Sequence, residues 1–398
     1  MREGVIPVAN AAVRAALARL VALGFAERQV NSWFGVPLIT DARFVRPRPD
    51  RPRRGLGGWI ALFVAGEPVE AAGLGEEVAA LEAAGWIERD GDRVRARVRL
   101  LPLFGLLVAS DAQLSEEAVG APDVSALNSA ACLPPRVAGA ALDIGCGAGL
   151  IALVAARAGA QVIGSDVDAR SLAFARLNAD VNGVNIRWAE GDLFGAERGP
   201  FALIVFNAPL LRAPIAADAG AAPRYLASPR GEALALEFVR GLESRLQPDG
   251  EALLHAQLTP ALEEALASLD RATVSLVFAE SPDGTPHALT SIRPGRGRRV
   301  LLTPLTSLLP HLRRELFDAY HAPTALSPDA TPLPAPWLVL REERQLGGRW
   351  RQTHFGAAPI DDEDRALLTS LDGRVWAELG ADEERLARLI ARGLVIVR

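Results

Sequence analysis

Four polar residues in the middle of the chain, Asp143, Asp166, Asp192 and Asn207, each follow a short apolar run, and glycines at 145, 147 and 149 follow the first of them. The run Ala140 to Ile144 stops at Gly145-Cys146-Gly147-Ala148-Gly149, and a pattern rich in Ala and Leu begins at Leu150. That spacing predicts strand, tight turn, helix. Such a turn aims backbone N–H groups at a ligand, and glycine serves where the chain bends sharply and a Cβ would stand in the ligand's way. A dinucleotide fingerprint would place its third glycine one residue later, at Leu150, so NAD is the weaker reading. Asp143, two residues before the first glycine, suits an ammonium group better than a pyrophosphate. Asp166, after the run Gln161 to Gly164, stands where a carboxylate grips two ribose hydroxyls. Two further runs, Asn185 to Trp188 and Phe201 to Phe206, end in Gly191-Asp192 and in Asn207-Ala208-Pro209-Leu210.

These motifs, in this order at four consecutive strand ends, resemble class I S-adenosylmethionine-dependent methyltransferases, and among them the small-domain N-methyltransferases of the HemK type. The resemblance covers roughly 133–295, under half of the chain. It implies that the loop Gly145 to Gly149 receives the methionine part of S-adenosyl-L-methionine, with Asp143 near its ammonium group. It likewise implies Asp166 on the ribose hydroxyls and Asp192 on the adenine amine. In the N-methylating families the fourth motif reads Asn or Asp, Pro, Pro, aromatic. The resemblance therefore makes Asn207, Ala208 and Pro209 the catalytic segment: the Asn207 side-chain oxygen and the Ala208 carbonyl accept hydrogen bonds from the target amine and aim its lone pair at the methyl. Catalysis of this kind is positioning. Two departures stand out, Ala208 for the first proline and Leu210 for the aromatic, and the second leaves the substrate class open. A loop of about twenty residues after the motif, Leu211 to Arg230, is expected to act as a substrate lid with Leu210, and Tyr225 could supply the missing ring.

Composition limits the alternatives. The chain has 398 residues, 49% hydrophobic and 23% charged, enough for two or three domains with ample core. Two cysteines and five scattered histidines offer neither a disulfide framework nor a metal-ligand spacing, so no metal is expected. All 43 basic residues are Arg, which excludes lysine Schiff-base chemistry and a P-loop ATPase. A net charge of -5 argues against broad attraction to nucleic acid, although Arg43 to Arg54 and Arg293 to Arg299 form local basic segments. The start of the chain lacks a secretory pattern and no apolar run is long enough to span a bilayer, so the expectation is a cytoplasmic protein without a membrane segment.

The elements that must position these residues read as a seven-stranded Rossmann-like α/β domain over 126–299, with modules on either side. Over 1–125 the pattern is helical from Asn10 to Gly24, then helical from Glu76 to Ala84, then alternating around Asp90-Gly91. That order is a winged-helix layout. Its second helix is acidic, which favours protein docking, dimerisation or substrate covering over nucleic-acid binding. Over 300–398 a connector and proline-rich linker lead to strands at Trp337 to Glu342 and Arg349 to Phe355, three short helices and the strand Leu394 to Val397, again winged-helix-like.

Three functions fit the sequence. The first is transfer of methyl to a nitrogen of a protein, peptide or nucleic-acid base. The second is a small-molecule N- or O-methyltransferase, and the third is a non-catalytic regulatory or interaction protein that binds S-adenosyl-L-methionine. Homodimerisation is compatible with each. An oxygen acceptor would want a base beside the methyl, and no His is predictably placed there, so nitrogen is preferred.

Overall fold

The computed structural model describes 6–36, 38–45, 50–113, 118–195, 197–209, 211–212, 227–228, 232–280 and 284–302. Beyond these it describes 314–315, 317–318, 321, 332–334, 362–371, 382–391 and 395–397. Two compact units divide the chain, one of 1–130 with 135–247 and one of 131–134 with 248–398.

The first unit opens with a helix, Ala11–Ala22, capped by Asn10, whose side chain accepts from the Val13 N–H at 2.9 Å. Its buried stripe is Val13, Ala16, Leu17 and Leu20, the helical spacing seen in the sequence. Helices Glu27–Phe34, Gly55–Ile60 and Glu77–Ala83 follow, and a three-stranded sheet sets Arg93–Ala96 between Val69–Glu70 and Ile87–Asp90. The hairpin expected around Gly91 is present, with Asp90 opposite Arg93. Trp59, Trp86, Phe25 and Phe63 are fully buried and supply most of the local core volume.

A second hairpin, Val98–Leu103 with Leu106–Asp111, was not anticipated. It precedes the large sheet, whose strands are β1 (Ala140–Ile144), β2 (Gln161–Asp166), β3 (Arg187–Glu190), β4 (Phe201–Asn207), β5 (Leu246–Gln257), β6 (Ala272–Glu280), β7 (Pro286–Arg293) and β8 (Arg298–Leu302). Their order is β8-β6-β7-β5-β4-β1-β2-β3. In the first unit β3, β2, β1 and β4 are all parallel, joined by right-register pairs such as Asp143 with Gly164 and with Val205. Strands buried on both faces carry continuous apolar runs, which is why Ala140–Ile144 and Phe201–Phe206 were legible.

In the second unit β7 lies antiparallel to both β5 and β6, and β8 adds parallel to β6. The sheet therefore has eight strands, one more than the seven expected. The extra strand follows the Gly295–Gly297 turn, whose Gly297 carbonyl accepts from the Thr273 N–H, and its register starts Thr273 against Arg298. A boundary at 299 would cut through it. Among the described residues at the end of the chain, Pro332–Pro334 pairs with Val395–Val397, and helices Asp362–Ser370 and Glu383–Ala391 are tied by Arg385 and Arg388 to the buried Asp364. The strands expected at Trp337 to Glu342 and Arg349 to Phe355 and a helix at Arg374 to Leu379 lie outside the described residues. Among the described residues no helix is long and apolar enough to cross a membrane.

Candidate functional site

Strand β1 lies between β2 and β4, so the chain turns back on itself at its carboxyl end, where open α/β sheets form their ligand crevice. Gly145, Gly147 and Gly149 all sit in the left-handed region, with φ of 63°, 52° and 86°. A Cβ at Gly147 would meet nothing within 4 Å, so the middle of the turn borders open space. At Gly149 a Cβ would press on the Trp188 ring at 2.9 Å and on Ala175 at 3.1 Å, so that glycine serves packing. Not every loop N–H faces outward as the sequence implies. Cys146 N–H donates to the Ser165 carbonyl, Gly149 N–H to the Cys146 carbonyl, and Gly147 N–H to Asp166 Oδ2 at 2.9 Å.

Asp143 lies beneath this loop, buried, with Oδ2 accepting from the Ala152 N–H at 2.9 Å and Oδ1 meeting no partner. Burial pushes its carboxyl up to about 8, against the opposing Ala152 hydrogen bond. An unpaired buried carboxyl oxygen costs free energy unless a donor reaches it, and a ligand ammonium is such a donor. Burial also raises the Cys146 thiol, with Asp143 and Asp166 adding to the effect.

Asp166, at the end of β2, accepts from Gly147 N–H through Oδ2 and from Asp168 N–H through Oδ1 at 3.0 Å. Burial raises its carboxyl above the ordinary range, and those two N–H groups oppose the rise. A carboxylate offers about four acceptor positions, so each oxygen retains one for a hydroxyl. Beside it Val167 is 64% exposed. Asp192 is exposed, in the turn after β3, and its neighbour Leu193 holds φ of 45°, an uncommon conformation for a residue other than glycine.

At the end of β4, Asn207 is half-buried, Ala208 is buried and Pro209 is half-buried. Asn207 Nδ2 donates to Ser125 Oγ at 3.0 Å. Ser125 is the second residue of the helix Val124–Ala131. Its Oγ donates to Asp123 Oδ1 at 2.5 Å, and the same oxygen accepts from the Ser125 and Ala126 N–H groups, each at 3.0 Å, as a helix cap. Asp123 and Ser125 were missed, although an Asp directly before the apolar positions Val124, Leu127 and Ala130 is a helix-start signal. Leu210 and Tyr225 lie outside the described residues, as does most of the expected lid. Among the described residues no group of three or more His, Cys, Asp or Glu is placed to hold a metal.

Comparison with known proteins gives the following. Residues 121–273 match the profile of the methyltransferase small domain. A putative protein N5-glutamine methyltransferase of Methanocaldococcus jannaschii is 42% identical over 71 residues, 18% of this chain and 36% of that protein. The release factor glutamine methyltransferase of Deinococcus radiodurans is 35% identical over 144 residues, 34% of this chain and 49% of that protein. The chain thus spans less than half the length of these curated relatives. Among solved structures, a Thermus thermophilus 16S rRNA N2 G1207 methyltransferase in complex with AdoMet and guanosine aligns with a TM-score of 0.38 and 20% identity, over 55% of this chain and 61% of its own.

Proposed function

We propose, from the match of residues 121–273 to the methyltransferase small domain, that this chain is an S-adenosylmethionine-dependent enzyme that transfers methyl to a nitrogen, an amide or amine, held by Asn207 and the Ala208 carbonyl. The observation that carries the proposal is the placement of Asn207 at the carboxyl end of β4, beside the strand that leads into the glycine loop. S-adenosylmethionine, when bound, supplies an electrophilic sulfonium methyl, so that an N–C bond forms as the S–C bond breaks and the acceptor's proton leaves to solvent.

The chain's own residues then have five tasks. Asp166 holds the ribose hydroxyls through its two remaining acceptor positions, and Asp192 takes the adenine amine from the turn after β3. Asp143 Oδ1 receives the ammonium group. Val167, exposed next to the ribose carboxylate, gives a flat ring an apolar surface to cover. Asn207 Oδ1 and the Ala208 carbonyl accept from the target N–H groups and direct the lone pair along the line of displacement, which is catalysis by orientation. As acceptor we favour a glutamine amide in a protein, the group for which the two curated relatives above are named, over the other acceptors that the family's members take. The helices and three-stranded sheet over 11–96 support a winged-helix module whose acidic helix, with Glu76, Glu77 and Glu82, suits protein docking.

Calorimetric titration with S-adenosylmethionine tests the site. Wild type should bind, Asp166→Ala should weaken binding about tenfold or more through loss of the hydroxyl contacts, and Asn207→Ala should bind while losing methyl transfer to a glutamine-bearing acceptor. Silence of the wild type toward S-adenosylmethionine and S-adenosylhomocysteine alike would overturn the reading.

A further inference from the structure

An amide side chain has two faces that differ only in which atom, O or NH2, points to the target, and the wrong face would present donors to a target that is itself a donor. What fixes the face of Asn207 is therefore part of the chemistry. Ser125 Oγ carries one hydrogen, and that hydrogen goes to Asp123 Oδ1 at 2.5 Å. Asp123 is held in place by the two N–H groups of its own helix start and cannot hand a proton back as a carboxylate. Ser125 is thus left with lone pairs alone, and the only amide atom it can satisfy is a donor. Asn207 Nδ2 meets it at 3.0 Å, which turns Oδ1 away from Ser125. Ser125 is buried, so bulk water does not compete for this contact.

From this chain of hydrogen bonds we infer that Ser125 is a positioning residue for methyl transfer, locking the Asn207 amide with its oxygen toward the acceptor nitrogen, and that Asp123 enforces the lock. The inference rests on the catalytic role given to Asn207 above. A second effect acts in the same direction. A carboxylate at one end of the chain Asp123, Ser125, Asn207 polarises each bond in turn, which makes Oδ1 a stronger acceptor. No part of this device needs a conserved base, and it leaves the acceptor's proton free to go to solvent.

The test needs no knowledge of the acceptor. In the amine analogue of S-adenosylmethionine, a C–NH3+ group replaces the S–CH3 group, so its ammonium stands where the methyl would and reads the acceptor atoms facing it. S-adenosylhomocysteine has nothing there. The ratio of the two dissociation constants, measured by calorimetry on the full chain, isolates the acceptors at the methyl position. Wild type should prefer the amine analogue. Ser125→Ala should cut that preference about tenfold or more, the worth of one hydrogen bond to a charged group, with the S-adenosylhomocysteine constant unchanged. Ser125→Thr should restore it, because the hydroxyl returns. Asp123→Asn keeps a good helix cap and should give a smaller loss, which separates polarisation from folding.

An unchanged ratio in Ser125→Ala beside a reduced ratio in Asn207→Ala would overturn the inference and leave the proposed function standing. An unchanged ratio in Asn207→Ala would instead remove the catalytic role of Asn207, and wild type silent to both compounds would remove the cofactor site; either result takes the inference with it. Thermal unfolding of each variant identifies a loss that comes from misfolding, in which case the Asp123→Asn and Ser125→Thr ratios decide.

Discussion

Beneath the glycine loop, Asp143 keeps its proton up to about 8, whereas the same side chain in the unfolded chain titrates in the ordinary carboxylate range. As pH rises between those limits the unfolded state gives up a proton that the folded state retains, so this residue lowers stability progressively from about pH 4 to about pH 8 and by a constant amount above. Asp143→Asn removes the titration while keeping an oxygen for the Ala152 N–H. Its thermal midpoint, relative to wild type, should therefore rise by several degrees between pH 5 and pH 8. An equal difference at both pH values would show that the carboxyl is ionised throughout. A bound cation would act in the opposite direction, drawing the carboxyl down and recovering part of the lost stability. The sequence made Asp143 visible as a member of the glycine motif, yet not its burial, because that depends on the helix Leu150–Arg157 closing over it. Ser125 was illegible for a different reason: its partner Asn207 stands 82 residues away, and nothing local marks a serine in a helix start as anything but part of the cap.

At the scale of elements, two contacts hold the turn in shape, and both join segments far apart in sequence. Asn178, on the helix Ala169–Asn182, is fully buried. Its Oδ1 accepts from the Ala109 N–H at 2.7 Å, while Nδ2 donates to the Ala109 carbonyl and the Ala148 carbonyl, each at 2.9 Å. One side chain thus ties the hairpin Leu106–Asp111 to the glycine loop. Asn178→Ala would strand three buried backbone groups, and unfolding in denaturant should show a loss of about 3 kcal/mol or more. A change under about 1 kcal/mol would mean that water replaces the amide. The second contact is Trp188, which covers Gly164 and Gly149 and packs on Cys146, Leu172 and Ala175. A Cβ at Gly164 would fall inside that ring, so Gly164→Ala should destabilise strongly, and Trp188→Leu should relieve much of the damage in the double variant. The strands that carry Gly164 and Trp188 were legible as apolar runs, whereas the helix Ala169–Asn182 buries Ser171 and Asn178 among its apolar residues and shows no clear stripe. Nothing local marks Asn178, since its partners lie 69 and 30 residues away.

For the molecule as a whole, the unanticipated hairpin bears on where the catalytic part starts. The three-part division drawn from the sequence puts everything before 126 in a separate module, and alternation around Asp90-Gly91 made the first hairpin conspicuous while Val98–Leu103, nearly all apolar, gave no alternation to read. Yet the Leu107 N–H and carbonyl bond to Asn182, the Ala109 pair to Asn178, and Asp111 holds Arg170, all on the helix that follows β2. We propose that 98–125 folds with the methyltransferase domain rather than with the module before it. Native-state hydrogen exchange on the full chain separates the two arrangements, because segments that open together share one opening free energy. The Leu107 and Ala109 amides should exchange with the protection of Leu142 and Ile144, and should resist longer than or independently of Glu88 and Val94 in the three-stranded sheet. Asn178→Ala should speed Leu107 and Ala109 without changing Glu88 or Val94. If the hairpin amides instead follow Glu88 and Val94 in wild type and variant alike, the boundary belongs at 126, and the module before it carries the hairpin as its own.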